Sequence, residues 1–250
     1  MHFDVITLLP EVVEAYLSAS VIGRARTAGA FSARAVDLRP HGVGKHRQVD
    51  DAPYGGGAGM VLAPGPLVQA IEECDRSAPV QGRVARILMA PGGVTLDRSL
   101  AGQLANDYDR LVLVCGRFEG VDARVSDWID MSVSLGDVVL TGGELAALAV
   151  IDSVCRLLPN VLGNAVSATD ESFEGPLLEY PQYTRPRDFQ GREVPAVLLS
   201  GDHKAIAQWR LRKAVEETRI FRPERLENRR GLPTEIRRLV EELDKKRGGE

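Results

Sequence analysis

The chain contains no run approaching the ~20 apolar residues that a bilayer-spanning helix requires, no internal repeat and no low-complexity tract. Its first residues, Met1 to Pro10, carry no basic segment ahead of the apolar stretch, and that stretch stops at Pro10, so they read as a strand and not as a secretion signal. These absences exclude a helical membrane protein and lead to the expectation of a soluble, cytoplasmic one. Cysteine is scarce: Cys74, Cys115 and Cys155 are far apart, odd in number and flanked by apolar residues, which fits reduced core thiols and excludes a disulfide framework or a clustered zinc site. The formal net charge of -4 gives no global attraction to nucleic acid, so any such attraction must be local. Two nucleotide fingerprints are missing as well. No glycine loop ends in Gly-Lys-Ser/Thr, and none has the G-x-G-x-x-G spacing that opens a dinucleotide-binding helix.

What is present is an ordinary globular composition, 44% hydrophobic and 26% charged over 250 residues, enough for one large domain or two smaller ones. Phe3 to Leu8 reads as a buried strand, and Pro10 opens a helix through Leu17. Arg86 to Met89 and Leu111 to Cys115 are short apolar runs, each followed closely by glycine, with a helical segment from Leu96 to Leu104 between them. This βαβ rhythm predicts an α/β fold with a parallel sheet covered on both faces. Ser132 to Leu140 is a further candidate strand interrupted by Gly136, and Glu144 to Leu158 is apolar on nearly every side, the mark of a buried helix.

From Pro159 to about Arg192 apolar residues thin out and Gly, Pro, Ser, Asp and Glu take over, which marks a long linker or functional loop. The expected division is a catalytic domain over 1–160, a flexible connecting loop over 161–178 and a small, mainly helical domain over 179–250. In the last of these, Val194 to Leu199 is a short apolar segment, Asp202 can cap a helix through Ile206, Trp209 and Val215, and a final helix runs from Glu235 to Lys246.

Three glycine loops, Pro91 to Gly93, Gly116 to Gly120 and Leu135 to Gly143, lie at or near the ends of apolar runs. In an open parallel sheet ligands bind beyond the carboxyl ends of the strands, and glycine lets the backbone approach a ligand with no side chain in the way. Three such loops together predict one shared pocket.

The segments Asp50 to Met60, Leu113 to Asp122, Gly136 to Leu145 and Tyr183 to Pro186, extended by Leu198 to His203, resemble the signature segments of the bacterial tRNA (guanine-N1)-methyltransferases over nearly the whole chain. The resemblance implies a catalytic domain of the SPOUT class with a deep trefoil knot, which sequence reasoning would otherwise exclude because true knots are rare. It implies S-adenosyl-L-methionine as methyl donor, tRNA as substrate, guanosine 37 beside the anticodon as target, and a homodimer with the active site at the subunit interface. It makes magnesium plausible, although no metal-ligand cluster is visible.

By the same similarity the donor pocket would use Gly116, Leu135, Gly136, Asp137, Val138, Val139 and Leu140, with Leu88, Met89, Ala90, Pro91, Gly142 and Gly143 nearby. Small aliphatics and glycine suit a purine, which needs a flat apolar slot and backbone hydrogen bonds at its edge. Guanine N1 is a poor nucleophile while protonated, so a general base is required. The family commonly reads Glu-Asp-Ser-Phe with the aspartate as base; this chain departs from it with Asp170-Glu171-Ser172-Phe173. Position by position Glu171 takes the base's place, and Asp170 is the alternative after a register change.

Arg156 is the second catalytic candidate, on an otherwise apolar helix where an unpaired charge would be costly. Its partner is either Asp152, one turn earlier, or, as the resemblance implies, the guanine O6 on which negative charge builds. A basic stretch containing Lys204, Arg210, Arg212, Lys213, Arg219, Arg222, Arg225, Arg229 and Arg230 is the expected phosphate-binding face, although a solvated amphipathic helix explains its first half equally well. Tyr54, Arg185, His203, Arg210 and Arg222 complete the expected substrate contacts, with Tyr183 and Trp209 as further stacking candidates. Two rival readings remain: a ribose 2'-O-methyltransferase of the same fold, and a non-catalytic tRNA-binding module that keeps the pocket as a relic.

Overall fold

The computed structural model describes residues 1–77, 82–162 and 175–247. The chain divides into two compact units, Met1–Asn164 and Ala165–Glu250.

The first unit is built on five parallel strands: β1 (His2–Thr7), β2 (Ser32–Asp37), β5 (Val84–Thr95), β6 (Arg110–Cys115) and β7 (Met131–Ser134), in the order β2-β1-β6-β5-β7. A short antiparallel ladder joins β3 (Asp50–Asp51) to β4 (Val61–Leu62). Because successive strand side chains point to opposite faces, the sheet carries two cores. Phe3 and Val5, Leu111 and Leu113, and Ala85 and Ile87 face one cluster, covered by α1 (Pro10–Leu17), α4 (Arg98–Asp107) and α5 (Glu144–Cys155). Ile6, Val112 and Val114 face the other, covered by α3 (Pro64–Ser77) through Leu67, Ile71 and Cys74. The expected α/β fold with a parallel sheet buried on both faces is what the chain forms.

Local differences from the sequence reading have physical causes. The candidate strand 132–140 stops at Ser134, where Gly136 turns through a φ of 108° and its amide donates to Ser134 Oγ at 3.1 Å. β5 runs well beyond Met89: after a bulge at Pro91 to Gly93 it resumes pairing, so that Met89 and Val94 both oppose Val133. A side chain at Gly93 would lie 2.4 Å from the backbone of Val133. α5 ends at Cys155, and Arg156 is its exposed C-cap, not a helix-interior residue as the sequence reading has it. The helix α2 (Ser20–Thr27), β2 and α3 went unread. All three cysteines are buried thiols.

One ion cluster ties the lower end of the sheet to α3. Asp4, fully buried, accepts from Arg110 Nε at 2.7 Å and from Arg34 Nε, while Arg110 Nη2 donates to the Cys74 carbonyl near the end of α3. Burial alone would raise the Asp4 carboxyl, but hydrogen bonds from His2, Arg34 and Arg110 hold it at about 2.

The second unit packs α6 (His203–Phe221) on α7 (Thr234–Arg247) around Val215, Leu226, Leu232, Ile236 and Val240. Asp202 caps α6 as the sequence predicts, its Oδ1 accepting from the amides of Lys204 and Ala205 at 3.0 Å. A two-residue turn, Gln190 and Gly191 both at positive φ, joins the small hairpin β8 (Asp188–Phe189) and β9 (Arg192–Glu193). Among the described residues no helix is long and apolar enough to cross a membrane.

Removing one partner of a buried ion cluster leaves the others uncompensated, so Asp4→Asn is expected to lower unfolding free energy by about 3 kcal/mol in urea denaturation. The folded carboxyl sits at about 2 against an ordinary 3.8. Its contribution is therefore complete above about pH 4 and is lost as pH falls toward 2, so the stabilities of the two proteins should converge at the acid end.

Candidate active site

Two of the three glycine segments meet, and the third adds Pro91. At the bulge of β5 and beyond the carboxyl ends of β6 and β7 lies a cavity of about 410 Å³ whose wall includes Leu88 to Pro91, Gly116 to Val121, Val133 to Leu135 and Val138 to Gly143, with Ala146 of α5. Every residue expected at the donor pocket lines it except Gly136 and Asp137, which sit in the turn after β7. The wall also contains Arg117 to Gly120, which the loop pattern placed in the shared pocket although the resemblance-based set did not name them, and Val121, Val133, Ser134 and Ala146, which sequence reasoning left out.

Close backbone approach makes this cavity. The Gly143 amide donates to the Gly116 carbonyl at 2.8 Å, and Arg117 and Gly142 form an antiparallel bridge. A Cβ on Gly143 would lie 2.8 Å from Cys115 Cα and 2.9 Å from Met89 Cβ, and one on Gly142 would lie 2.3 Å from Glu144 Oε2. Neither glycine has an unusual φ, so steric room alone demands the missing side chain. Phe118, which lines the cavity, is held at a φ of 59°, a left-handed conformation uncommon outside glycine, and about half of the residue is exposed.

Behind the wall, Glu144 is buried at the start of α5. Its Oε1 accepts the Thr7 hydroxyl at 2.8 Å and its Oε2 accepts Arg117 Nη1 at 3.2 Å. Burial, then the nearby Glu144 charge, pushes the Cys115 thiol well up, which keeps it a neutral packing group. The glycine loop before β4 borders the same wall: the Glu119 amide donates to Met60 O at 3.0 Å and Leu62 bridges Val121.

A family model described as tRNA (Guanine-1)-methyltransferase TrmD matches residues 1–228. The chain belongs to this family. It is 53% identical over 246 residues to the tRNA (guanine-N(1)-)-methyltransferase of Anaeromyxobacter sp. (strain K), covering 98% of both chains. With the enzyme of the same name from Nostoc punctiforme it shares 47% identity over 227 residues, 91% of this chain and 94% of the relative. Among solved structures it is similar to the tRNA (m1G37) methyltransferase from Aquifex aeolicus, with a TM-score of 0.74 and 38% identity, covering 89% of this chain and 93% of that one. A tRNA (guanine-N1)-methyltransferase, it is thus an adenosylmethionine-dependent enzyme.

The remaining candidates are spread over the chain. Asp170 and Glu171 lie outside the described residues. Arg156 is exposed, and Asp152 accepts a hydrogen bond from the Tyr16 phenol. Tyr54 is 99% exposed in the glycine loop that leads to Met60. Arg185, His203, Arg210 and Arg222 belong to the second unit. There the Arg210 guanidinium sits 4.9 Å from the centroid of the Tyr180 ring, and Tyr183 meets Trp209 edge to face at 6.1 Å. Much of the basic stretch is engaged within this unit: Arg212 and Lys213 pair with Glu216, Arg219 and Arg229 with Asp244, and Arg222 with Glu224, while Arg225 donates to the carbonyls of Gly175 and Pro176. Lys204 and Arg230 make no ion pair among the described residues. The number of basic residues therefore overstates the charge available to phosphate.

Because its neighbours are backbone and core atoms that cannot swing away, Gly143→Ala is expected to cost roughly 1–3 kcal/mol of unfolding free energy. Gly92→Ala, at a position with nothing within 4 Å, should change stability by less than about 0.5 kcal/mol. Denaturant melts of the two variants test the contrast.

Proposed function

We propose that the chain transfers the methyl group of S-adenosyl-L-methionine to N1 of guanosine 37, immediately 3' of the anticodon in tRNA. The observation that carries this reading is one cavity formed by the loops Gly116 to Gly120 and Leu135 to Gly143 against the bulge of β5, in a chain of the tRNA (guanine-N1)-methyltransferase family. The similarity to the tRNA (m1G37) methyltransferase of Aquifex aeolicus supports the position. The cavity fits such a donor. Leu88, Leu135, Val138 and Leu140 supply apolar surface for a purine, and the contacts that crowd Gly142 and Gly143 bring bare backbone to the wall.

The donor supplies an electrophilic methyl group on sulfonium. For N1 to attack it, the N1 proton must leave, and Glu171 is the group we assign to receive it, with Asp170 as the alternative. Deprotonation leaves negative charge on O6, which the Arg156 guanidinium is assigned to stabilise. Its place at the exposed C-cap of α5 supports that role, since the charge stands where a substrate can reach it. Tyr54, Arg185, His203, Arg210 and Arg222 are proposed as tRNA contacts. The target lies in a single-stranded loop, where a base can be splayed out and read along its Watson-Crick edge.

The family resemblance extends the proposal to a trefoil knot around the donor loops, to the division into 1–160, 161–178 and 179–250, to a cytoplasmic enzyme, and to a homodimer with the active site at the subunit interface. Exposed apolar side chains beside the cavity support the dimer: Val139 is 91% and Leu145 60% exposed, a cost that a partner would relieve. Among the described residues no group of three His, Cys, Asp or Glu could hold a metal ion. Magnesium is proposed as an assisting ion on the family resemblance alone.

With labelled donor and unmodified tRNA carrying guanosine 37, digestion should yield label in N1-methylguanosine. A 2'-O-methylated nucleoside, or no labelled product, would overturn the assignment. Glu171→Gln should reduce transfer by about 10²-fold or more while leaving donor binding intact; unchanged transfer would move the base to Asp170.

A further inference from the structure

Glu144 is a charged group where burial is costly. It is 4% exposed, yet both its oxygens are engaged, by Thr7 of β1 and by Arg117 of the loop after β6. Two features hold its side chain in place. It occupies the first turn of α5, where the helix dipole favours negative charge. Thr7 is itself fixed, its Oγ1 accepting the Leu9 amide at 2.8 Å while donating to Glu144. Arg117 is placed differently: it lines the cavity, with 22% of its side chain exposed. Gly142 is pressed against the pair, since a Cβ there would lie 2.7 Å from Arg117 Nη1 as well as against Glu144. Among the described residues Glu144 is the carboxylate that pairs with Arg117; Glu119, also on the wall, is exposed and its charge is screened by solvent.

The charge of the ligand gives this pair its meaning, on the reading that the cavity holds the methyl donor. At neutral pH adenosylmethionine carries a sulfonium, an ammonium and a carboxylate, a net charge of about +1. Once its methyl group has left, the sulfonium is a neutral thioether and the net charge is about zero. An uncompensated Arg117 would repel the donor and tolerate the product, so the pocket would be held by its own product. We infer that Glu144 is the counter-charge of the donor pocket: by neutralising Arg117 from behind the wall, it sets the preference for the cationic donor over the neutral demethylated product. A unit charge acting over cavity distances through an effective dielectric of about 20 is enough for a ten-fold preference or more. Thr7 and the start of α5 keep that charge in place.

Calorimetry on the full chain, with adenosylmethionine and adenosylhomocysteine titrated separately at pH 7, tests the inference, circular dichroism confirming that each variant is folded. Glu144→Gln should weaken the donor about ten-fold more than the product, and Glu144→Asp, which keeps the charge, should retain the wild-type ratio. Arg117→Gln leaves the acid unopposed and should move the ratio the other way, toward the donor; it carries the test if Glu144→Gln does not fold. An unchanged ratio in Glu144→Gln, or equal weakening of both ligands, would reduce Glu144 to a packing residue and overturn the inference. So would an unchanged ratio in Arg117→Gln where that variant carries the test. Wild-type protein that binds neither ligand would instead sink the donor-cavity reading on which the inference rests.

Discussion

At Gly116 and Gly143 two backbone segments lie against each other with nothing between them but a hydrogen bond from the amide of one to the carbonyl of the other. The rest of the site depends on that approach. It closes the loop after β6 against the loop before α5, fixes Gly142 on the Arg117 and Glu144 pair, and brings the ends of β5, β6 and β7 around one cavity. A single methyl group at Gly143 would hold the segments apart, and one at Gly142 would displace the Glu144 and Arg117 side chains. The sheet beneath supplies the rigidity: β1 and β6 are buried along almost their whole length, so the loops above them start from fixed points.

The two ends of the sheet divide the work. At the lower end the charged residues Asp4 and Arg110, both buried, and the half-exposed Arg34 are spent on joining strands to α3. At the upper end the charged pair faces the other way, Glu144 hidden and Arg117 turned to the cavity. The second unit follows a third pattern. Its many basic residues are largely balanced by Glu216, Glu224 and Asp244, and it offers ring surfaces, Tyr180 under Arg210 and Tyr183 against Trp209. Such a surface suits unstacked bases better than a uniform run of phosphates.

Sequence reasoning reached the parallel sheet because Leu111 to Cys115 of β6 and Ile87 to Met89 of β5 are continuous apolar runs, as strands buried on both faces must be, and β1 is mostly apolar around Asp4. It missed β2, an edge strand whose Ser-Ala-Arg-Ala-Val-Asp carries two small apolar residues and two charges. It missed α3 because Pro64, Gly65 and Pro66 look like a loop, although Leu67, Ala70, Ile71 and Cys74 keep helical spacing. The pocket was legible in its glycines and in its resemblance to a family. The Thr7, Glu144 and Arg117 chain was not, since Thr7 lies more than a hundred positions from the other two, which are themselves 27 apart, and no local pattern links them. Arg156 was read as a helix-interior charge because the apolar pattern continues through Leu158, past the point where the helix ends.

The central claim is that the space bounded by Leu88, Gly116 and Leu140 receives the methyl donor. A crystal structure of the chain grown with adenosylhomocysteine tests it most directly. The account predicts adenosine density in that space, with its base against the backbone of the loop from Leu135 to Gly143. Density seated only elsewhere, or a ligand absent at saturating concentration from an accessible cavity, would contradict it.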